Sequence, residues 1–194
     1  MRLDSALAFV PLGYNQSLVA GLGISIPSVN TIDMLGLGVG VSPGAGPSAT
    51  AGGQGGVIIG SEATNFGTDQ GIGGFRPELE VVVGTAFTTS DACTLNVQLQ
   101  AAADAGSPSW LPSTWNTVAE TGPMAVANLT ANTVIARFPY LPNFPANLRP
   151  RFLRLNFAVP SGDQFTAGTI LCAVVTLVRD DQANRFASRN YTVA

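Results

Sequence analysis

Residues 94–100 read Thr94-Leu95-Asn96-Val97-Gln98-Leu99-Gln100, polar and apolar in strict alternation. Successive side chains of an extended chain point to opposite faces, so Leu95, Val97 and Leu99 line a core while Thr94, Asn96, Gln98 and Gln100 face outward. A helix would scatter the same residues around its axis. The period recurs from Arg151 to Val159, with Leu153, Leu155, Phe157 and Val159 on one face and Arg154, Asn156 and Ala158 on the other. Pro77 to Phe87 sets Leu79, Val81 and Val83 against Glu78, Glu80 and Val82.

Further strands are predicted from Trp115 to Ala119 and from Thr133 to Phe138, where Pro139 ends the run. Thr169 to Val178 is apolar on both faces and is predicted to be a central, buried strand. Weaker strands are expected near residues 18–26 and 57–59, and Tyr191 to Val193 could close a sheet edge. No stretch sustains helical spacing. About eight strands separated by turn-rich connectors predict an all-β chain, a two-sheet β-sandwich, with the eight-strand jelly roll as its natural form.

One domain is expected over residues 1–194. Residues 1–35 read as an extended N-terminal arm leading into a first strand, with Leu7, Phe9, Leu18, Ile24 and Ile26 spread among Pro and Gly. Residues 36–74 hold fourteen of the 22 glycines, together with Pro43 and Pro47. Such a tract disfavours helix and core packing and reads as a long Gly-rich loop, an excursion that lies on a neighbouring surface. Residues 75–179 form the main β body and 180–194 the C-terminal tail.

Composition narrows the chemistry. Only 11% of residues are charged, against about 25% in an ordinary domain. The hydrophobic share is 46% and the mean hydropathy is +0.29. So few charges point to a surface partly covered by other subunits. There is no histidine, and all nine basic residues are arginine. A Ser-His-Asp relay, a His-ligated metal, a lysine Schiff base and a P-loop lysine are therefore excluded. The chain is expected not to be an enzyme and to use no cofactor. A net charge of −3 argues against nucleic acid. No apolar run approaches the roughly 18 residues of a membrane span. The first twenty residues lack a basic-then-apolar signal pattern.

The remaining motifs have plain readings. Cys93 and Cys172 are expected to be buried small hydrophobes. Glu78 and Glu80 are expected on a solvated sheet face, and Asp180-Asp181 in a polar turn. Arg149, Arg151 and Arg154 cluster around one strand, and Arg179, Arg185 and Arg189 crowd the tail. Guanidinium forms bidentate pairs with carboxylates at protein interfaces, so these clusters are read against a solvated surface as interface candidates.

Several strings together resemble a known family. LDSALAF and SVNTIDMLGLG near the N-terminus, ELEVVVGTAFTTSDACTLNVQLQAAADAG followed by WNTVAETG, and RFLRLNFAVPSGDQFTAGTILCAVV are similar to jelly-roll capsid cement (decoration) proteins of short-tailed bacteriophages, as in a Bordetella phage. The resemblance covers most of the chain outside residues 40–70. It implies a virion protein made in the bacterial cytoplasm that binds the outer capsid surface and bridges subunits of the major capsid protein. It also implies a homodimer or homotrimer. The Gly-rich tract is longer than the family leads one to expect. Exposed apolar and arginine residues outside the strand pattern make Arg2, Leu3, Leu7, Phe9, Phe66, Arg185, Phe186 and Tyr191 the candidate capsid or subunit contacts. The alternative is a receptor- or carbohydrate-binding jelly roll of a fibre or adhesin, with Trp110, Trp115 and Tyr140 as its aromatic platform.

Overall fold

A computed structural model describes residues 3–19, 25–33, 57–60, 78–90, 92–106, 112–139, 150–160 and 164–176. The first half contributes β1 (Leu3–Val10), β2 (Gln16–Ser17), β3 (Ile26–Pro27), β4 (Asn30–Asp33), β5 (Val57–Gly60), β6 (Glu78–Val83) and β7 (Thr88–Thr89). The second contributes β8 (Thr94–Asp104), β9 (Pro112–Glu120), β10 (Met124–Ala125), β11 (Val134–Pro139), β12 (Phe152–Ala158), β13 (Phe165–Ala167) and β14 (Thr169–Thr176). Among the described residues the only helical piece is a 3-10 turn at Val126–Asn128. None of them forms a helix long and apolar enough to cross a membrane.

The strands form two sheets. One runs β1-β14-β6-β11, with β2 also against β14. The other runs β10-β8-β12-β4-β5, with β9 beside β8 and β3 beside β12. A two-stranded ribbon of β7 and β13 stands apart from both. Number the eight principal strands β1, β4, β6, β8, β9, β11, β12 and β14 in chain order. The sheets then read 1-8-3-6 and 2-7-4-5, the order of a jelly roll. Its logic is a long hairpin folded at the β8–β9 turn. From that turn outward, β8 pairs β9, β6 pairs β11, β4 pairs β12 and β1 pairs β14, all antiparallel. Rolling this ribbon around one core puts alternate rungs in opposite sheets.

The core follows the alternation in the sequence. Leu95, Val97 and Leu99 lie opposite Phe157, Leu155 and Leu153 or one step away, all fully buried. The other sheet supplies Leu79, Val81, Val83, Ile170, Ala173 and Val175. Burying each large side chain contributes about 1.5–3 kcal/mol. As expected, β14 is central, flanked by β1 and β6. A bulge between Ile170 and Cys172 resets its alternation, so Cys172 and Val174 pack with Ala8 in a second apolar cluster on the sheet's other side. Cys93 and Cys172 are both buried, in different clusters. Burial raises the Cys172 thiol above its usual range, and the Glu80 carboxylate adds to this.

Two sequence expectations change. The N-terminal arm is in large part body: β1 is the first principal strand, paired with β14 from Leu3↔Thr176 to Val10↔Ala173. Bulges interrupt its register, so Ala8, Phe9 and Val10 are consecutive and all fully buried, which erases the period of two. The second change concerns Glu80. It is not solvated but 8% exposed, with its Oε1 3.1 Å from Nε of Arg137.

Polar side chains add to the apolar contacts of Phe9, Val10, Leu18, Ile26 and Ile32 in tying the first strands together. Gln16, Ser28 and Asn30 are buried. Gln16 Nε2 donates to the Pro27 carbonyl at 2.7 Å, Asn30 Nδ2 to the Ala8 carbonyl at 2.7 Å, and the Leu155 N–H to Ser28 Oγ at 3.0 Å. The Asn30–Ala8 bond joins the two sheets at the sandwich edge. The short strand expected at residues 57–59 is β5, parallel to β4.

Candidate contact surfaces

The register gives the sandwich two unlike ends. At one end Leu3, Thr176, Glu78 and Pro139 form a row across the first sheet. Gly60, Asp33, Phe152, Ala102 and Trp115 form the matching row across the second. These strand ends lead to residues 1–2, 34–56, 61–77, 140–149 and 177–194, and hence to most of the segments read as contact elements. The opposite end carries the described residues 11–15, 84–90, 121–133, 159–160 and 164–168, which link the strands there. There Leu12 is 61% exposed and Tyr14 55%, with Val19 and Val134 also exposed. Gly13 and Asn15 have positive φ, and the Tyr14 N–H donates to the Pro11 carbonyl at 3.0 Å, so the Leu12–Tyr14 tip is a formed turn.

The outer face of the second sheet is the third surface. Gln98, Gln100, Arg154 and Asn156 stand on it beside Trp115, Thr117 and Glu120 of β9. A chain of hydrogen bonds crosses it in one direction. Arg154 Nε donates to Gln100 Oε1 at 2.9 Å, Gln100 Nε2 to Gln98 Oε1 at 3.3 Å, and Gln98 Nε2 to Glu120 Oε2 at 3.3 Å. Asn156 Nδ2 and Asn96 Nδ2 join at Gln98 and Glu120, each at 2.9 Å. Aligned amides polarise one another, so the face has a cationic and an anionic end held by fixed dipoles. The Arg154 guanidinium stacks on Trp115, 4.2 Å from the ring centroid. Burial lowers its pKa to about 10, which leaves it charged at neutral pH.

Of the residues predicted to make contacts, Arg2, Phe66, Arg185, Phe186 and Tyr191 lie outside the described residues, as do Trp110, Tyr140 and the strand expected at Tyr191 to Val193. Leu3 and Leu7 lie on β1. Phe9 is a correction: it is 0% exposed and belongs to this chain's own core, not to a contact surface. Exposed Leu12 and Tyr14 were not singled out as contacts, and Arg154 and Trp115 were singled out separately, in the arginine cluster and in the aromatic platform, not as a pair. Leu12 and Tyr14 were legible as bulky residues in a PLGYN turn. The stacking of Arg154 on Trp115 joins two strands and has no local signature.

Arg151, expected among the interface arginines, is instead 7% exposed and pairs with Asp104. Burial by itself would raise the Asp104 carboxyl. The Gly106 N–H and the Arg151 guanidinium outweigh it and hold the pKa below the ordinary value. The stability this gives is complete above the unfolded-state value near about 4 and is lost as pH falls through the lower folded value. Asp104→Asn is expected to melt below the wild type at pH 7, with the gap narrowing as pH drops below about 4 in a pH series of thermal unfolding.

Among the described residues, no three His, Cys, Asp or Glu side chains are grouped to hold a metal ion. In comparison with protein families, residues 41–175 match Bbp16, a family of Bordetella phage proteins. The match takes in β5 to β14 and runs through the Gly-rich tract from residue 41. LDSALAF and the start of SVNTIDMLGLG lie before it. No curated protein matches the chain.

Proposed function

The chain belongs to the Bbp16 family of Bordetella phage proteins, and from that membership we propose that it is a capsid cement protein, one that binds the outer surface of the phage shell and bridges major capsid subunits. It acts without catalysis, cofactor, nucleic acid or membrane, and it associates with itself as a dimer or trimer. The observation that carries this reading is the polarity of the jelly roll. At one end of a stiff, well-cored body the described strand ends lead into residues 61–77, 140–149 and 177–194, while residues 34–56 leave from that end at Asp33 and re-enter towards the other at Val57, level with Asn30, a layout suited to spanning seams between neighbours. Each contact can then be modest, because several at once multiply the effect. Binding the assembled shell and not its free subunits stabilises the shell by mass action. The contact per copy should exceed about 1,000 Å², the usual floor for a specific interface.

The carbohydrate-binding alternative needs an open aromatic face for a sugar ring. Trp115 has Arg154 on its face, which weighs against it.

The test is electron microscopy of heads made with and without this chain, together with binding of the purified chain to heads that lack it. Density on the outer shell and higher thermal resistance of decorated heads are the expected results. A chain ending at residue 179 should bind more weakly and melt at the same temperature. Truncation through residue 10 is unsuitable, since it deletes β1. No added density, with heads equally heat-resistant in both preparations, would contradict the proposal.

A further inference from the structure

Three arginines lie in the described residues, and two of them have acids: Arg137 with Glu80 and Arg151 with Asp104. Arg154 has none among the described residues. Its Nε is used by Gln100, and the four N–H donors of its outer edge carry no carboxylate. A partly desolvated guanidinium without a counter-charge is costly in isolation. It is nevertheless held in place, by Trp115 beneath its plane and by the amide chain behind its Nε. Both contacts remove rotamer freedom before any partner arrives, so less is lost on binding.

We propose that the outer edge of Arg154 receives a carboxylate, an Asp or Glu side chain of a shell subunit, in a bidentate pair. The inference rests on the capsid-binding reading above. The planar fork of a guanidinium matches a carboxylate, with two parallel N–H···O bonds. The site is continuous with the end from which the long segments leave, because Trp115 belongs to the register row that ends the second sheet there. A neutral sugar is disfavoured by the covered indole face, and a nucleic-acid phosphate by the net charge of −3.

The test uses heads assembled without this chain and the purified full-length protein, as wild type and as Arg154→Lys and Arg154→Gln. The wild type should bind, and both variants should bind roughly tenfold or more weakly, since losing one partner of a partly buried pair slows nothing but speeds release. Phenylglyoxal, read by mass spectrometry, should modify Arg154 in the free protein and spare it on heads. Should a variant fold poorly, this protection in the wild type still decides. Equal binding by Arg154→Lys with equal modification in both states would overturn the proposal. So would protection that appears in concentrated protein without heads, which would make a second copy the occupant. A wild type that binds no heads would instead remove the capsid-binding reading itself.

Discussion

Phe157→Ala is expected to cost about 3–5 kcal/mol, the range for emptying a buried aromatic site. Phe157 is fully buried on β12, opposite Val97 of β8 on one side and Ile26 of β3 on the other. Strands on both sides hold the backbone, so the walls of the cavity cannot collapse inward. Against a total of about 5–15 kcal/mol for an ordinary domain, this loss alone brings the protein near its unfolding threshold. Urea denaturation should show a lower midpoint with an unchanged slope. Asn116→Ala, at an exposed position on β9, should shift stability by no more than about 0.5 kcal/mol. A Phe157→Ala protein as stable as the wild type would mean that the two sheets do not pack face to face at this point.

Gly168→Ala is expected to destabilise by about 3 kcal/mol, although it adds a single methyl group. Gly168 joins β13 to β14 with φ +144°, a backbone conformation that side chains disfavour. An added Cβ would lie 2.6 Å from Phe87 Cε1 and Cγ, and closer still to Cδ1. Phe87 has no room to retreat. It is 3% exposed and meets Phe165 edge-on, with ring centroids 4.8 Å apart. The backbone is pinned as well: the Gly168 carbonyl accepts from the Leu18 N–H at 3.1 Å, and the Thr169 N–H donates to the Thr85 carbonyl at 3.2 Å. Phe87→Leu should make room, so the double variant should lose less than the sum of the two single losses. Strict additivity in thermal unfolding would show that strain at φ, and not the ring, accounts for the cost.

The strands legible in advance share one property: their faces can be read from a few adjacent residues. Thr94 to Gln100 and Leu153 to Val159 keep the period of two, and β8 and β12 turn the expected apolar residues to the core, while on the outer face Gln100 and Asn156 are buried among their polar neighbours rather than solvated. β1 and β4 escaped the same reading. In β1 register shifts leave three consecutive apolar residues buried, Ala8 in the second cluster and Phe9 and Val10 in the main core. In β4 the sequence Asn-Thr-Ile-Asp looks like a loop, because the buried Asn30 amide is satisfied only by a distant segment, at the Ala8 carbonyl. The contact surfaces divide similarly. An arginine cluster at 149–154 was visible, but that Arg151 meets an acid while Arg154 meets none among the described residues was not. Asp104 lies 47 positions from Arg151, while Arg154 stacks on Trp115 across β8.

The sequence by itself therefore determined the all-β class, the inward face of each regular strand, and the lack of histidine and lysine chemistry, since these depend on residue type and local period. The tertiary structure alone decided the 1-8-3-6 and 2-7-4-5 strand order, the burial of Phe9 and Glu80, the two unlike ends and the open edge of Arg154. Each depends on a pairing such as Leu3 with Thr176, which forms only when two apolar sheet faces close over one core, and no local pattern along the chain encodes which distant strand becomes the neighbour.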